Sequence, residues 1–128
     1  VSWDGHKFSG ITLGIGAPPG YIAQQKLAEM KVLSSKNTVP QKGMVLVALG
    51  RMDGYVVARS AGRKIIEKFE LSDSIRALSL PFMQSLLYLP VSKAFYKKHP
   101  QVAEKLWHSL AKIRKEQGQR LLKKYENL

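Results

Sequence analysis

The feature that most restricts this chain is a regular alternation, over its first seventy residues, of short β-branched runs with helix-period segments. "GITLGIG" (10–16) is a compact apolar run bounded by glycines and reads as a buried strand. "APPGYIAQQKLAEM" (17–30) follows, with a rigid Pro-Pro-Gly turn. Its Tyr21, Ile22, Leu27 and Met30 recur at near-helical spacing, so a helix is expected from Pro19 or Gly20. "KVLSS" (31–35) reads as a second strand. "KNTVPQKGMVLVALGRM" (36–52) reads as a helix opened by Asn37 or Thr38, with Pro40 in its first turn. "GYVVA" (54–58) is a third strand and "RSAGRKIIEKFE" (59–70) a third helix. Strands that alternate with helices predict an α/β fold of parallel strands joined by crossover helices.

The pattern changes after residue 70. "SIRALSL" (74–80) and "QSLLYLP" (84–90) read as two more strands joined by "PFM", in which Pro81 can donate no ladder hydrogen bond. From Val91 onward the chain reads as helix, first over 91–99 and then from Pro100, with Gly118 expected to end or kink the long helix. Val102, Leu106, Leu110 and Ile113 form the apolar stripe of that helix. Trp107 is expected to pack, because aromatics at helical spacing usually do.

A chain of 128 residues fits one globular region with a real core. Its apolar fraction of 45% and charged fraction of 23% argue against disorder. No apolar run approaches the roughly 20 residues that cross a bilayer. The absence of cysteine excludes disulfides and thiolate zinc sites. The opening Val1-Ser2-Trp3 suggests a piece of a longer chain. A net charge of +12 favours acidic partners, either nucleic acid or anionic surfaces. The basic residues of "KKHPQVAEKLWHSLAKIRKEQGQRLLKK" lie among Glu104 and Glu116, and they read first as a solvated helix face.

Catalytic patterns are thin. "GIGAPPGYIA" lacks the lysine of a nucleotide-binding phosphate loop, and Pro18 and Pro19 remove two amides that such a loop uses. A turn entering a helix at a strand's carboxyl end can still receive an anionic group. His6, His99 and His108 have no metal-site spacing, and no Gly-x-Ser-x-Gly elbow is present. Asp53 is expected to cap the turn before the third strand, and Gly50 to close the preceding helix in a left-handed conformation. The residues therefore predict no enzyme, no catalytic set, no metal and no cofactor.

Taken in order, three segments resemble the second lobe of a periplasmic solute-binding protein of the amino-acid (family 3) type. "FSGITLGIGAPPGY" resembles the family's entry into lobe two, and "LVALGRMDGYVVARSAG" its Gly-Arg-x-Asp segment. "LLYLPVSKAFYKKHPQVAEKLWHSLAKIRKEQGQRLLKKYEN" resembles its closing strand and helices. The resemblance spans about residues 8 to 126. It implies a three-layer lobe with a mostly parallel sheet flanked by helices over residues 1–90. Residues 91–128 would be C-terminal helices that pack on a first lobe, and self-association is expected where that lobe is absent.

The function implied is that of an extracytoplasmic module of ABC-type transport or sensing, periplasmic or extracellular. It would bind a small polar solute in an interlobe cleft and work with a membrane transporter or sensor. The ligand-binding positions implied are Ala17, Pro18, Gly20, Tyr21, Ser35, Asn37, Arg59 and Ser60. The family's amino-acid binders carry an aspartate where this chain has Ala58, followed by Arg59. That exchange points to an anionic or neutral solute, because arginine offers a fixed fork of donors. The alternative for Arg59 is that it is only the first exposed residue of a helix. Alternatives for the whole chain are a basic domain that binds nucleic acid or anionic surfaces, or a degenerate scaffold that binds no solute. Under the solute-binding reading no nucleic acid is expected.

Overall fold

The chain folds as a mixed α/β protein, seen here in a computed structural model that describes residues 1–125. In chain order its elements are β1 (Ser2–Trp3), β2 (Phe8–Ser9), β3 (Ile15–Gly16), α1 (Ile22–Glu29), α2 (Pro40–Ala48), β4 (Gly54–Tyr55), α3 (Arg59–Lys68), α4 (Lys93–Lys98) and α5 (Pro100–Tyr125). They fall into two units, Val1–Gln84 and the chain from Ser85 onward.

In the first unit β3 and β4 pair in parallel, with Ile15 opposite Gly54 and Gly16 opposite Tyr55. On its other side Ile15 forms a parallel bridge with Leu33. The order across the sheet is therefore Leu33, β3, β4, with β3 at the centre. Ile15 is 2% exposed and belongs to one buried cluster with Phe8, Ala17, Ala23 and Leu27. Beyond the two-residue strands, single backbone bonds extend the pairing. Asp53 donates its N–H to Gly14 O at 3.0 Å and Val56 donates its N–H to Gly16 O at 2.7 Å.

These strands are shorter than the runs that predicted them. Of "GITLGIG" only Ile15 and Gly16 are strand, since Gly14 has a positive φ of 86° that leaves the extended region. Of "KVLSS" only Leu33 pairs. The two runs after residue 70 are a correction. Among the described residues neither 74–80 nor 84–90 forms a strand. Leu86, Leu87 and Tyr88 are 71%, 92% and 78% exposed, so no neighbouring strand offers them a ladder or a face to bury.

The core of the first unit joins Phe8, Ile15, Ala17, Ala23 and Leu27, with Val32, Leu33 and Val56 packed around it. Ala23 and Leu27 stand four residues apart on α1 and so share its inner face. Full burial of a leucine such as Leu27 contributes about 2 kcal/mol. An N-terminal hairpin of β1 and β2, which the sequence reading does not contain, closes one side of this core. Its Trp3 ring lies 4.3 Å from Phe8 and 5.3 Å from Phe82, and the Trp3 indole N–H donates to Pro81 O at 3.2 Å. The Asp4 carboxylate holds the hairpin turn by accepting the His6 and Lys7 N–H groups, each at 2.7 Å.

All three helices of the first unit end in one way. After α1, Lys31 N–H bonds Ala28 O and Val32 N–H bonds Leu27 O. After α2, Gly50 bonds Val47 O and Arg51 bonds Leu46 O; after α3, Glu70 bonds Glu67 O and Leu71 bonds Ile66 O. Each is the paired-bond terminus in which one left-handed residue satisfies the last carbonyls. Gly50 holds that position as expected, with φ 64°. Lys31 and Glu70 hold it without being glycine, at φ 58° and 53°. The start of α2 differs from expectation, because its N-cap is Val39, with Pro40 as the first helical residue.

In the second unit Ser92 Oγ caps α4 by accepting Phe95 N–H at 3.0 Å. Trp107 is half-buried, as the packing expectation required. Its ring stacks on Tyr96 at 5.8 Å and its indole N–H donates to Leu89 O at 2.7 Å. Helix α5 runs unbroken through Gly118, which corrects the expected stop. A glycine inside a long helix costs only about 1 kcal/mol relative to alanine, far less than proline would.

Candidate functional site

Because Leu33, β3 and β4 run parallel, their carboxyl ends share one edge of the sheet. Every one of the eight positions expected from the resemblance to bind ligand follows such an end. Ala17, Pro18, Gly20 and Tyr21 follow β3, Ser35 and Asn37 follow Leu33, and Arg59 and Ser60 follow β4. The chain leaves β3 toward Leu33 on one side and returns to β4 on the other. That reversal is the topological switch point at which open α/β sheets leave a crevice.

The loop after β3 is tied down from two sides. Ala17 is fully buried, and its N–H donates to Asn37 Oδ1 at 2.9 Å. Asn37 therefore serves the β3 loop rather than capping α2, which corrects the expectation for it. Its own N–H donates to Ser34 O at 3.1 Å, which closes the turn that carries it. Gly20, with a positive φ of 81°, donates its N–H to Gln24 Oε1 at 2.7 Å, and Tyr21 donates to Pro18 O at 3.2 Å. The amides of Ala17, Gly20 and Tyr21 thus have partners already. Pro18 and Pro19 have none to offer. Gln24 is the residue that sequence reasoning passed over. Its position three residues into α1 after the Tyr21 cap is the signal, since glutamine there reaches back to the preceding loop.

Tyr21 is 68% exposed, and Ser35, Arg59 and Ser60 are exposed as well. Arg59 is the first residue of α3 and follows its N-cap, Ala58, so its guanidinium stem stands in solvent. An open depression of about 340 Å³ is lined by Gly20, Tyr21, Ile22, Gln24, Gln25 and Leu33 among others. Of the eight positions Gly20 and Tyr21 border it; Ala17, Pro18, Ser35, Asn37, Arg59 and Ser60 do not.

Asp53 anchors the other end of β3. Its carboxylate accepts the N–H groups of Thr12, Leu13 and Gly14 at 2.7, 2.6 and 2.8 Å, and the Thr12 hydroxyl at 3.2 Å. The expected turn-capping role is thus corrected in its target: the group capped is a loop some forty residues upstream. Partial burial pushes the Asp53 pKa upward, but the Thr12, Leu13 and Gly14 N–H bonds and the Thr12 hydroxyl together outweigh it and hold the pKa below the ordinary carboxyl value.

Tyr55 closes the sheet on the β4 side. Its hydroxyl donates to Thr38 O at 2.7 Å, and its ring fills the space beside Gly16 and Gly43 where a Cβ would clash. Burial pushes its phenol up to about 12. Among the described residues no group of three or more His, Cys, Asp or Glu is positioned to hold a metal ion. Among them, too, no helix is long and apolar enough to cross a membrane. Comparison with protein-family models, with curated proteins and with solved structures finds no match.

Proposed function

We propose that the first unit is one lobe of an extracytoplasmic solute-binding protein, a three-layer α/β lobe that contributes half of an interlobe cleft. In this reading the protein serves an ABC-type transporter or a sensor, and does no chemistry on its solute. The observation that carries it is the convergence of three loops at one sheet edge, around the switch point between β3 and β4. The loop Ala17–Tyr21 lies on one side of that point and the start of α3, with Arg59, on the other.

The solute class follows from what the edge offers. Ala58 supplies no carboxylate for an ammonium group, while Arg59 supplies a cation at a helix start. An anionic or neutral polar solute fits that balance better than an α-amino acid does. The Gly20 amide would enter the site when a ligand oxygen displaces Gln24, an exchange of one acceptor for another at an exposed position.

The test is a thermal-shift screen of this lobe joined to its first lobe, against small carboxylates, sugars, amino acids and short peptides. A ligand that binds only the folded state raises Tm. The expected result is a selective rise with a carboxylate or another neutral-to-anionic solute, reduced at least about tenfold in affinity by Arg59→Ala. A flat screen on well-folded protein, or tight amino-acid binding indifferent to Arg59→Ala, would overturn the reading.

A further inference from the structure

Helix α5 presents an apolar stripe that nothing in its own unit covers. Val102, Leu106, Leu110 and Ile113 are 54%, 40%, 42% and 43% exposed, although their spacing puts them on one face. The buried side of the helix adjoins this stripe and is centred on Ala103 and Trp107, where Tyr96 stacks. The stripe is therefore the half of the helix's apolar surface that its own unit leaves open to solvent.

The charges around it are lopsided. Between Ser85 and Tyr125 the chain carries ten lysines and arginines against Glu104 and Glu116. Glu104 already accepts the Tyr96 hydroxyl at 2.9 Å. Lys105, Lys112 and Lys123 fall in one row, seven and eleven residues apart, beside one border of the stripe where Glu116 also lies, and Arg114 stands on the other. All four are exposed.

We propose that α5 docks on an anionic lipid surface, lying in the interface with Val102, Leu106, Leu110 and Ile113 turned to the acyl boundary and the lysine row on the headgroups. This inference does not rest on the cleft reading of the first unit. Three occupants compete for the stripe, and the charges separate them. A second copy of the chain brings the same basic border and repels it. A protein partner, such as the first lobe that the family resemblance implies, calls for an interface rich in aromatics and poor in lysine; this stripe is purely aliphatic and edged by lysine. An aliphatic face with a lysine border suits a bilayer interface, where lysine stems lie along the apolar layer and their heads reach the phosphates. The helix is too polar overall to span the bilayer, which agrees with a surface position.

Flotation of the full chain with vesicles tests this, comparing pure phosphatidylcholine with a mixture containing about one third phosphatidylglycerol. The chain should float with the anionic vesicles and stay behind with the neutral ones. Lys105→Gln with Lys112→Gln should weaken binding by about fivefold per lysine. Leu106→Ser with Leu110→Ser should weaken it by at least about tenfold, with helicity by circular dichroism showing that α5 still forms. Equal flotation with both vesicles, or none with either, overturns the proposal. So does anionic binding that the serine pair leaves unchanged, which would mean charge adsorption alone. Equal affinity for soluble polyglutamate would point to an acidic protein partner. A serine-sensitive dimer by light scattering, without flotation, would point to a second copy. Either outcome also overturns it.

Discussion

The carboxylate of Asp53 accepts the backbone N–H of Gly14 at 2.8 Å, closing a loop that starts at Thr12 and lies 39 residues away along the chain. Two further amides and a hydroxyl converge on the same group. This cluster sets where β3 begins, and through β3 it sets the position of the Ala17–Tyr21 loop. Replacement by asparagine removes the charge that strengthens these bonds. After allowance for solvent, Asp53→Asn should lower stability by about 1–2 kcal/mol, read as a lower urea midpoint at pH 7.

The same residue carries a pH signature. Its folded pKa lies below the unfolded value, so its stabilisation is complete above the unfolded value, about 3.9, and fades as pH falls through the lower folded one. The gap between wild type and Asp53→Asn should therefore be constant near neutrality and shrink in strong acid. Urea melts of both proteins at a series of pH values check this, and a gap that persists unchanged would remove the carboxylate from the account.

Gly14 and Gly20 share a positive φ but differ in surroundings. A Cβ on Gly14 would meet the Ser34 backbone at 2.6 Å, whereas one on Gly20 meets nothing within 4 Å. Gly20→Ala should cost about 1 kcal/mol, from backbone conformation alone. Gly14→Ala must also displace the segment that pairs Leu33 with β3, and should cost at least about 3 kcal/mol. Equal losses in denaturant melts would refute the distinction.

At the ends of α1 and α3, Lys31 and Glu70 occupy left-handed positions that glycine adopts without penalty. Lys31→Gly and Glu70→Gly should each raise stability by about 0.5–1 kcal/mol, measured against wild type in the same melts. A loss at both positions would mean that the side chains contribute contacts that outweigh the backbone strain.

Tyr55 gives the opposite pH limb. Its phenol is pushed up to about 12 by burial, so the folded state favours the protonated form. Its stabilisation is complete below the unfolded value, about 10, and is lost as pH rises from there toward 12. Tyr55→Phe keeps the ring beside Gly16 and Gly43 and gives up the bond to Thr38 O, at about 1 kcal/mol near neutrality. Above pH 10 the difference between the two proteins should narrow, and stability melts across that range decide it.

Much of the fold was legible because the signals are local. The recurrence of Tyr21, Ile22, Leu27 and Met30 marks α1, although Tyr21 and Ile22 stand in solvent and Ala23 joins Leu27 on the buried face. Pro40 opens α2, Gly50 closes it, and β-branched runs flank Ile15 and Tyr55. What escaped was set by partners distant in sequence. Nothing near Asp53 announces Thr12, and nothing near Asn37 announces Ala17, since a side chain's choice between local and remote amides depends on which ones the fold brings within reach. The Trp3 hairpin escaped for the same reason, because its stability lies in Phe82 and Pro81. The runs at 74–80 and 84–90 misled in the other direction: their composition suits strands, but a strand exists only where another one pairs with it.

For the candidate site the division is similar. By itself the sequence determined the α/β alternation, the loops in which the eight expected site positions sit, and the aliphatic stripe of α5. These follow from residue type and periodicity, which act within a few residues. The tertiary structure alone decided that Leu33, β3 and β4 run parallel, so that three separate loops meet at one edge. It also decided that Asn37 and Gln24 occupy the Ala17 and Gly20 amides, and that the stripe of α5 is left uncovered. The physical reason is that hydrogen bonds and burial are satisfied by whatever the whole chain brings close, and proximity in space is not written in any single segment.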